Sequence, residues 1–263
     1  MSEINFSGEH VAVTGAAGGI GRAFADMFLA EGAKVSISDL SAPECAGQDN
    51  LNGYSCDVSD EAQIIKFIDD AEDAFGPVDI FIANAGVGFG DGPGGNSAGG
   101  SNESWDKSWA INVMGSVYAS RRLIPGWKKR GEGRFVIVSS AAGLLNQIGS
   151  ASYSATKHAV LGYAEAMAIE HKADGISVHA VCPQYVRTNM TKGMSFAENN
   201  KDGLLEPSDV ANALKASIEK NEFLVLSHPV VGDYFKAKAM DYDSYISGMA
   251  RLRAKLSQAD VKL

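Results

Sequence analysis

Short runs of β-branched and aromatic residues alternate with longer stretches of helical periodicity along this chain, and few folds accept that order. Strand-like runs fall at 10–14, 34–38, 54–56, 78–83, 134–139, 176–181 and 223–226, and helical stretches at 20–31, 59–75, 103–129, 152–172 and 208–219. Such alternation requires parallel strands with helices crossing over both faces. Right-handed crossovers then make a doubly wound α/β sheet of about seven strands. No Pro/Ser-rich linker, composition shift or internal repeat divides the chain, so residues 1–263 are expected to form a single domain.

Two segments depart from the alternation. Residues 86–100 hold eight glycines, too many for a helix or strand, and are expected to form a mobile surface loop. From about residue 229 an amphipathic helical tail runs to 256, with Phe235, Met240, Tyr242, Ile246, Met249 and Leu252 as candidate buried positions.

Composition excludes several classes of function. A net charge of -9 argues against a surface for nucleic acid or an anionic membrane, where clustered Lys and Arg are needed. Cys45, Cys56 and Cys182 are widely spaced and show no disulfide or zinc pattern, which suits a reducing, cytoplasmic compartment. No signal peptide opens the sequence, and no uncharged apolar run of about 18 residues spans a membrane. The five histidines have no paired ligand spacing, so no metal is expected.

In a parallel sheet of this kind ligands bind beyond the carboxyl ends of the strands, and the residues there are polar or backbone-permissive. Gly15, Gly18, Gly19 and Gly21 follow the first strand and, with Ile20, open the first helix. Such a loop lets a pyrophosphate approach the backbone at a helix N-terminus. Asp39 ends the second strand, where a carboxylate accepts hydrogen bonds from ribose hydroxyls and repels a 2′-phosphate; NAD is therefore expected over NADP. Asp57 follows the third strand, Asn84-Ala85-Gly86 the fourth, Ser139-Ser140 the fifth and Pro183-Gln184 the sixth.

Tyr153 and Lys157 stand four apart on a helix, so phenol and ammonium share a face. A neighbouring cation stabilises phenolate and lowers the tyrosine pKa, as general acid–base catalysis needs. Spacing alone is not diagnostic: Tyr234 and Lys238 repeat it in the tail, where they read as a chance pair on a surface helix. Position separates the two, because only Tyr153 follows a strand whose end presents Ser140, a hydroxyl able to donate to a developing oxyanion.

With these motifs the chain resembles the short-chain dehydrogenase/reductase family from about residue 6 to 226. The matching residues are the 14–21 glycine motif, Asp57-Val58, Asn84-Ala85-Gly86, Asn112, Ser140, the 153–157 motif and the stretch from Pro183 to Thr188. The resemblance implies a Rossmann fold binding NAD, and it implies roles. Tyr153 would be the general acid/base, Ser140 would hold the substrate oxygen, Lys157 would bind the nicotinamide ribose and depress the Tyr153 pKa, and Asn112 would hold a water of a proton relay. Asp57 and Val58 would contact adenine, Asn84, Ala85 and Gly86 would line the cofactor channel, and Pro183, Val186 and Thr188 would pass the nicotinamide. Ala83 and Gln184 depart from the family's usual Asn and Gly; Gln184 is expected to act in substrate selection.

The expected activity is interconversion of a secondary alcohol and its ketone. The substrate is expected to be hydrophobic, cyclic or aromatic, in a pocket flanked by Leu144, Leu145, Gln147, Ile148, Met190, Met194 and Phe196. A homodimer or homotetramer built through the helices at 103–129 and 152–172 is implied by the resemblance. The alternatives are an epimerase on the same fold, or a non-catalytic dinucleotide sensor or scaffold, which would have no need of Tyr153 and Lys157.

Overall fold

The computed structural model describes residues 5–45, 47–92, 96–193 and 201–258. Seven strands form one parallel sheet: β1 (His10–Thr14), β2 (Lys34–Asp39), β3 (Leu51–Ser55), β4 (Ile80–Ala83), β5 (Gly133–Val138), β6 (Ile176–Val181) and β7 (Leu224–Val225). Their spatial order is β3-β2-β1-β4-β5-β6-β7. The chain builds outward from β1 to β3, returns beside β1 with β4 and builds the other way. The reversal opens a crevice above the carboxyl ends of β1 and β4, where such sheets bind ligands.

The inner strands β1, β4 and β6 are buried on both faces, so they read as nearly continuous apolar runs. One face is covered by α1 (Gly19–Ala30) and α7 (Pro207–Glu219), whose Phe24, Phe28, Val210 and Leu214 meet Val11, Val35 and Val136. The other carries α2 (Glu61–Phe75), α4 (Gly115–Arg130) and α6 (Ala151–His171), which pack Phe67, Trp127 and Val160 against Phe81 and Phe135. Trp127 is buried and its indole N–H donates to the Val78 carbonyl at 2.7 Å. Truncating it to alanine is expected to cost about 3–5 kcal/mol. Preceding α4, α3 (Asn102–Trp109) runs into a π-helical turn at Ala110–Met114, so the stretch expected at 103–129 is one helical rod with an over-wide turn.

Two expectations about elements need correction. The third strand lies at Leu51–Ser55 rather than 54–56, because its ladder to β2 starts at the Val35–Leu51 pair and Cys56 already lies past the strand. The tail is two helices, α8 (Val230–Met240) and α9 (Tyr242–Gln258), and not one amphipathic run. Asp241 between them is extended, with φ -148, and its carboxylate accepts the Ser244 N–H, restarting the helix in a new phase. Phe235, Met240, Tyr242 and Ile246 are consequently exposed, and Met249 and Leu252 are only half-buried. The side chains the tail buries are Val231, Leu256 and, against expectation, Lys238.

The glycine-rich segment has no regular element in its described part, but it is tied down. Asp91 is buried, its N–H donates to the Gly149 carbonyl, and its carboxylate accepts the Ala151 N–H at 2.7 Å. It thus caps the N-terminus of α6 from a distant loop, where Ser150 makes no side-chain cap. Among the described residues no helix is long and apolar enough to cross a membrane.

Candidate active site

A cavity of about 500 Å³ lies over the crevice and runs from Asp39 to Tyr153. Its floor is the loop between β1 and α1. Gly15 takes a left-handed φ of 65, and a Cβ there would stand 2.7 Å from the Ala85 Cα, so the fourth strand's end approaches as closely as it does only over glycine. Asn84 locks this junction: its amide donates to the carbonyls of Thr14 and Gly15 at 3.0 and 2.9 Å. The Thr14 hydroxyl in turn accepts the N–H groups of Asn84 and Ala85. Helix α1 has no side-chain N-cap and no acidic residue in its first turn. Gly18, Gly19 and Ile20 at that end line the cavity, leaving a seat for an anion.

Asp39 holds the loop from the other side, accepting the Ala17 N–H at 3.0 Å and the Leu40 N–H at 2.8 Å. Asp57 and Val58 line the same end, the Asp57 carboxylate taking the N–H and hydroxyl of Ser59. Pro183, Val186 and Thr188 line the opposite wall. Thr191 braces that wall: its hydroxyl donates to the Val186 carbonyl and accepts the Thr188 N–H.

At the far end Ser140, Tyr153 and Lys157 come together. Ser140 lies two residues past β5 and N-caps the short helix α5 (Ala141–Leu144), its hydroxyl oxygen accepting the Ala142 N–H at 3.1 Å. The Ser140 hydroxyl beside the Tyr153 phenol draws its pKa down, but burial outweighs this and leaves it raised. Lys157 is buried, its ammonium donating to the Val138 carbonyl at 2.8 Å and lying 5.6 Å from the Tyr153 ring centre. Burial brings its pKa down to about 8. The ammonium is aimed at this main-chain carbonyl rather than at the phenol oxygen.

Asn112 sits within the π-turn. Its amide clasps Val87, accepting the N–H at 2.8 Å and donating to the carbonyl at 2.9 Å, and also donates to the Thr156 hydroxyl. Both amide hydrogens are thereby used. Little room is left at Gly86, since a Cβ would stand 3.2 Å from Asn112 Oδ1 and 3.3 Å from Lys157 Nζ. Among the described residues no group of His, Cys, Asp and Glu suits a metal ion.

The substrate side differs more from expectation. Gln184 and Met190 line the cavity, but Leu144 and Gln147 do not. Leu144 is turned into the hydrophobic core by α5, and Gln147 is engaged with Tyr185 and the Ile148 carbonyl. Leu145 and Ile148 are likewise off the cavity wall, and Met194 and Phe196 lie outside the described residues. Sequence reasoning missed Leu40, Val87, Ile111, Asn189 and Thr191 as lining residues; each is a loop or helix neighbour of a motif without a chemical signal of its own. Ser139 was also missed as a brace: its hydroxyl donates to the Lys157 carbonyl at 2.9 Å.

Residues 9–199 match the family of short chain dehydrogenases. An oxidoreductase from Thermotoga maritima, not characterised further, is 37% identical over 77% of this chain and 82% of its own. The meso-2,3-butanediol dehydrogenase of Serratia marcescens is 32% identical over 72% of this chain and 76% of its own. Among solved structures, a short chain dehydrogenase/reductase from Burkholderia phymatum in complex with NAD superposes with a TM-score of 0.79 at 26% identity, covering 91% of this chain and 96% of that one.

Proposed function

The chain belongs to the short-chain dehydrogenase family, and on that footing we propose that it is an NAD-dependent oxidoreductase interconverting a secondary alcohol and its ketone. The observation that carries this is the convergence of Ser140, Tyr153 and Lys157 on the same cavity as the glycine loop and Asp39. The cavity suits a dinucleotide. A Cβ at Gly18 would meet nothing within 4 Å, so the loop is open on the cavity side beside the uncapped end of α1. Asp39 would accept the adenosine ribose hydroxyls and disfavour a 2′-phosphate, which supports NAD over NADP.

Bound NAD would supply the hydride acceptor or donor. The chain's own residues do the rest. Ser140 holds the substrate oxygen, and Tyr153 withdraws or returns the proton there. Lys157 would hold the nicotinamide ribose hydroxyls and, with Asn112, pass the proton outward. With both amide hydrogens of Asn112 taken, a relay water is held by its main-chain carbonyl or by Oδ1. Met190 gives the substrate end an apolar wall and Gln184 a polar one. An alcohol with an apolar body and a hydrogen-bonding substituent near the carbinol fits this end best. We also take the protein to be a homo-oligomer through α4 and α6, near which Trp105, Trp109 and Ile169 are exposed.

Absorbance at 340 nm tests the activity, with NAD and NADP, on a panel of cyclic, aromatic and short-chain secondary alcohols that includes butane-2,3-diol. Turnover with NAD is expected, falling by about 10²–10⁴ in Tyr153→Phe. Turnover unaffected by that substitution refutes the assignment, and tight NAD binding without turnover on any alcohol favours a sensing role.

A further inference from the structure

Helix α8 carries the second tyrosine–lysine pair, and neither side chain lies idle on the surface. Lys238 is 6% exposed, and its ammonium donates to the Leu144 carbonyl at 2.8 Å and to the Leu145 carbonyl at 3.3 Å. These are carbonyls at the C-terminal end of α5, which a four-residue helix leaves without partners of its own. The ammonium also lies 3.4 Å from His158 Nε2 on α6, and 5.2 and 5.4 Å from the ring centres of Tyr242 and Tyr245 on α9. Among the described residues no carboxylate pairs with it.

Burying an ammonium without a counter-ion is costly. Carbonyl dipoles and aromatic faces offset that cost only while they stay in place. The arrangement is therefore a geometric constraint: the cation is satisfied only when α5, α6, α8 and α9 hold these positions together.

One turn earlier on the same helix, the Tyr234 hydroxyl donates to both carboxylate oxygens of Asp202, at 3.0 and 3.2 Å. Asp202 in turn accepts from the Gln184 amide at 3.3 Å. Lys238 thus reaches the segment that begins at Ser140, and Tyr234 reaches the facing wall at Gln184.

We propose that α8 is the positioning element of the substrate end of the cleft. In it Lys238 fixes the segment from Ser140 to Gln147, and Tyr234, through Asp202, fixes the wall that carries Gln184. Both are positioning residues and neither touches the reacting atoms. The functional significance rests on the role proposed above for Ser140, but the placement itself is tested without turnover.

Hydrogen exchange of the full-length protein with NADH bound is the test, on wild type, Lys238→Met, Lys238→Arg and Tyr234→Phe. In Lys238→Met the amides of 141–150 are expected to exchange at least ten-fold faster. Those of 15–21 should stay at wild-type rates, with the NADH dissociation constant within two-fold; Lys238→Arg, which keeps the cation and its donors, should restore slow exchange. Tyr234→Phe should accelerate exchange at the amides of 187 and 205, which donate to the Leu205 and Tyr185 carbonyls and so join the Gln184 wall to the Asp202 segment. Wild-type exchange at 141–150 in Lys238→Met, or a uniform rise over the whole chain in both Lys238 variants, overturns the proposal. Because the readout needs no substrate, failure here is distinguishable from failure of the dehydrogenase assignment.

Discussion

Lys157→Met is expected to make the protein more stable at pH 7 while abolishing turnover. Lys157 is 4% exposed, and burial lowers its pKa from 10.5 to about 8. A displacement of about two and a half pH units, at 1.36 kcal/mol per unit, is about 3 kcal/mol of penalty for holding the charged form in the fold. Methionine keeps most of the stem and removes the charge, but it also removes the bond to the Val138 carbonyl, worth about 1 kcal/mol. The net gain at pH 7 is about 2 kcal/mol, or roughly 4–8 °C in Tm for a chain of this size. The sign of the pH dependence follows from linkage. Because the folded pKa lies below the unfolded one, the unfolded chain binds more protons between pH 8 and 10.5, so wild-type stability rises with pH across that window. The variant has no such rise, and its advantage should close by about pH 9.5. Thermal unfolding of the cofactor-free proteins at pH 7 and 9.5 measures both quantities. A variant less stable than wild type at pH 7, or an advantage independent of pH, refutes the claim that Lys157 is a strained buried cation.

Asp39→Ser should improve NADPH affinity at least ten-fold and weaken NADH, because it removes the like charge that a 2′-phosphate would meet. Fluorescence titration with both cofactors checks this, and an unchanged NADPH affinity contradicts the role given to Asp39. His179 is buried, donates from Nδ1 to the Glu222 carbonyl, and has its pKa lowered to about 4, chiefly by burial. It stays neutral in the fold while the unfolded chain protonates near pH 6.5, so its contribution is intact above that pH and is lost as pH falls toward 4, by up to about 3 kcal/mol. Urea midpoints between pH 7 and 4 should therefore fall less steeply in His179→Asn, and parallel slopes would rule the mechanism out.

The sheet was legible because its inner strands are buried on both faces: runs such as 10–14 and 176–181 have no other stable placement, and the glycine loop marks where the first ends. The polar residues that meet at the cavity were legible because most carry a functional group near a strand end or on the helix that follows it. The substrate side was not, for a physical reason. Whether Leu144 faces the cavity or the core depends on the twist of a four-residue helix, and the tail's burial pattern depends on the phase break at Asp241. Neither leaves a periodic trace in the sequence. Apolar residues at the wall and in the core look alike until the backbone between them is placed.

The two tyrosine–lysine pairs show how far spacing carries a chemical inference. In both, four residues bring a phenol and an ammonium to one helix face, and in both the lysine is buried and donates to main-chain carbonyls. What differs is where the face looks. Tyr153 opens onto the crevice between β1 and β4 and, with Ser140, lines a cavity able to admit a second reactant. Tyr234 and Lys238 look instead into the back of the cleft's walls, at a carboxylate and at helix-end carbonyls. The same spacing therefore sets one pair at the cavity over the switch point of the sheet and the other against the elements one layer behind it. Reading the tail pair as accidental overlooked that a lysine without a carboxylate partner can still be buried, provided the carbonyls at a helix end take its protons.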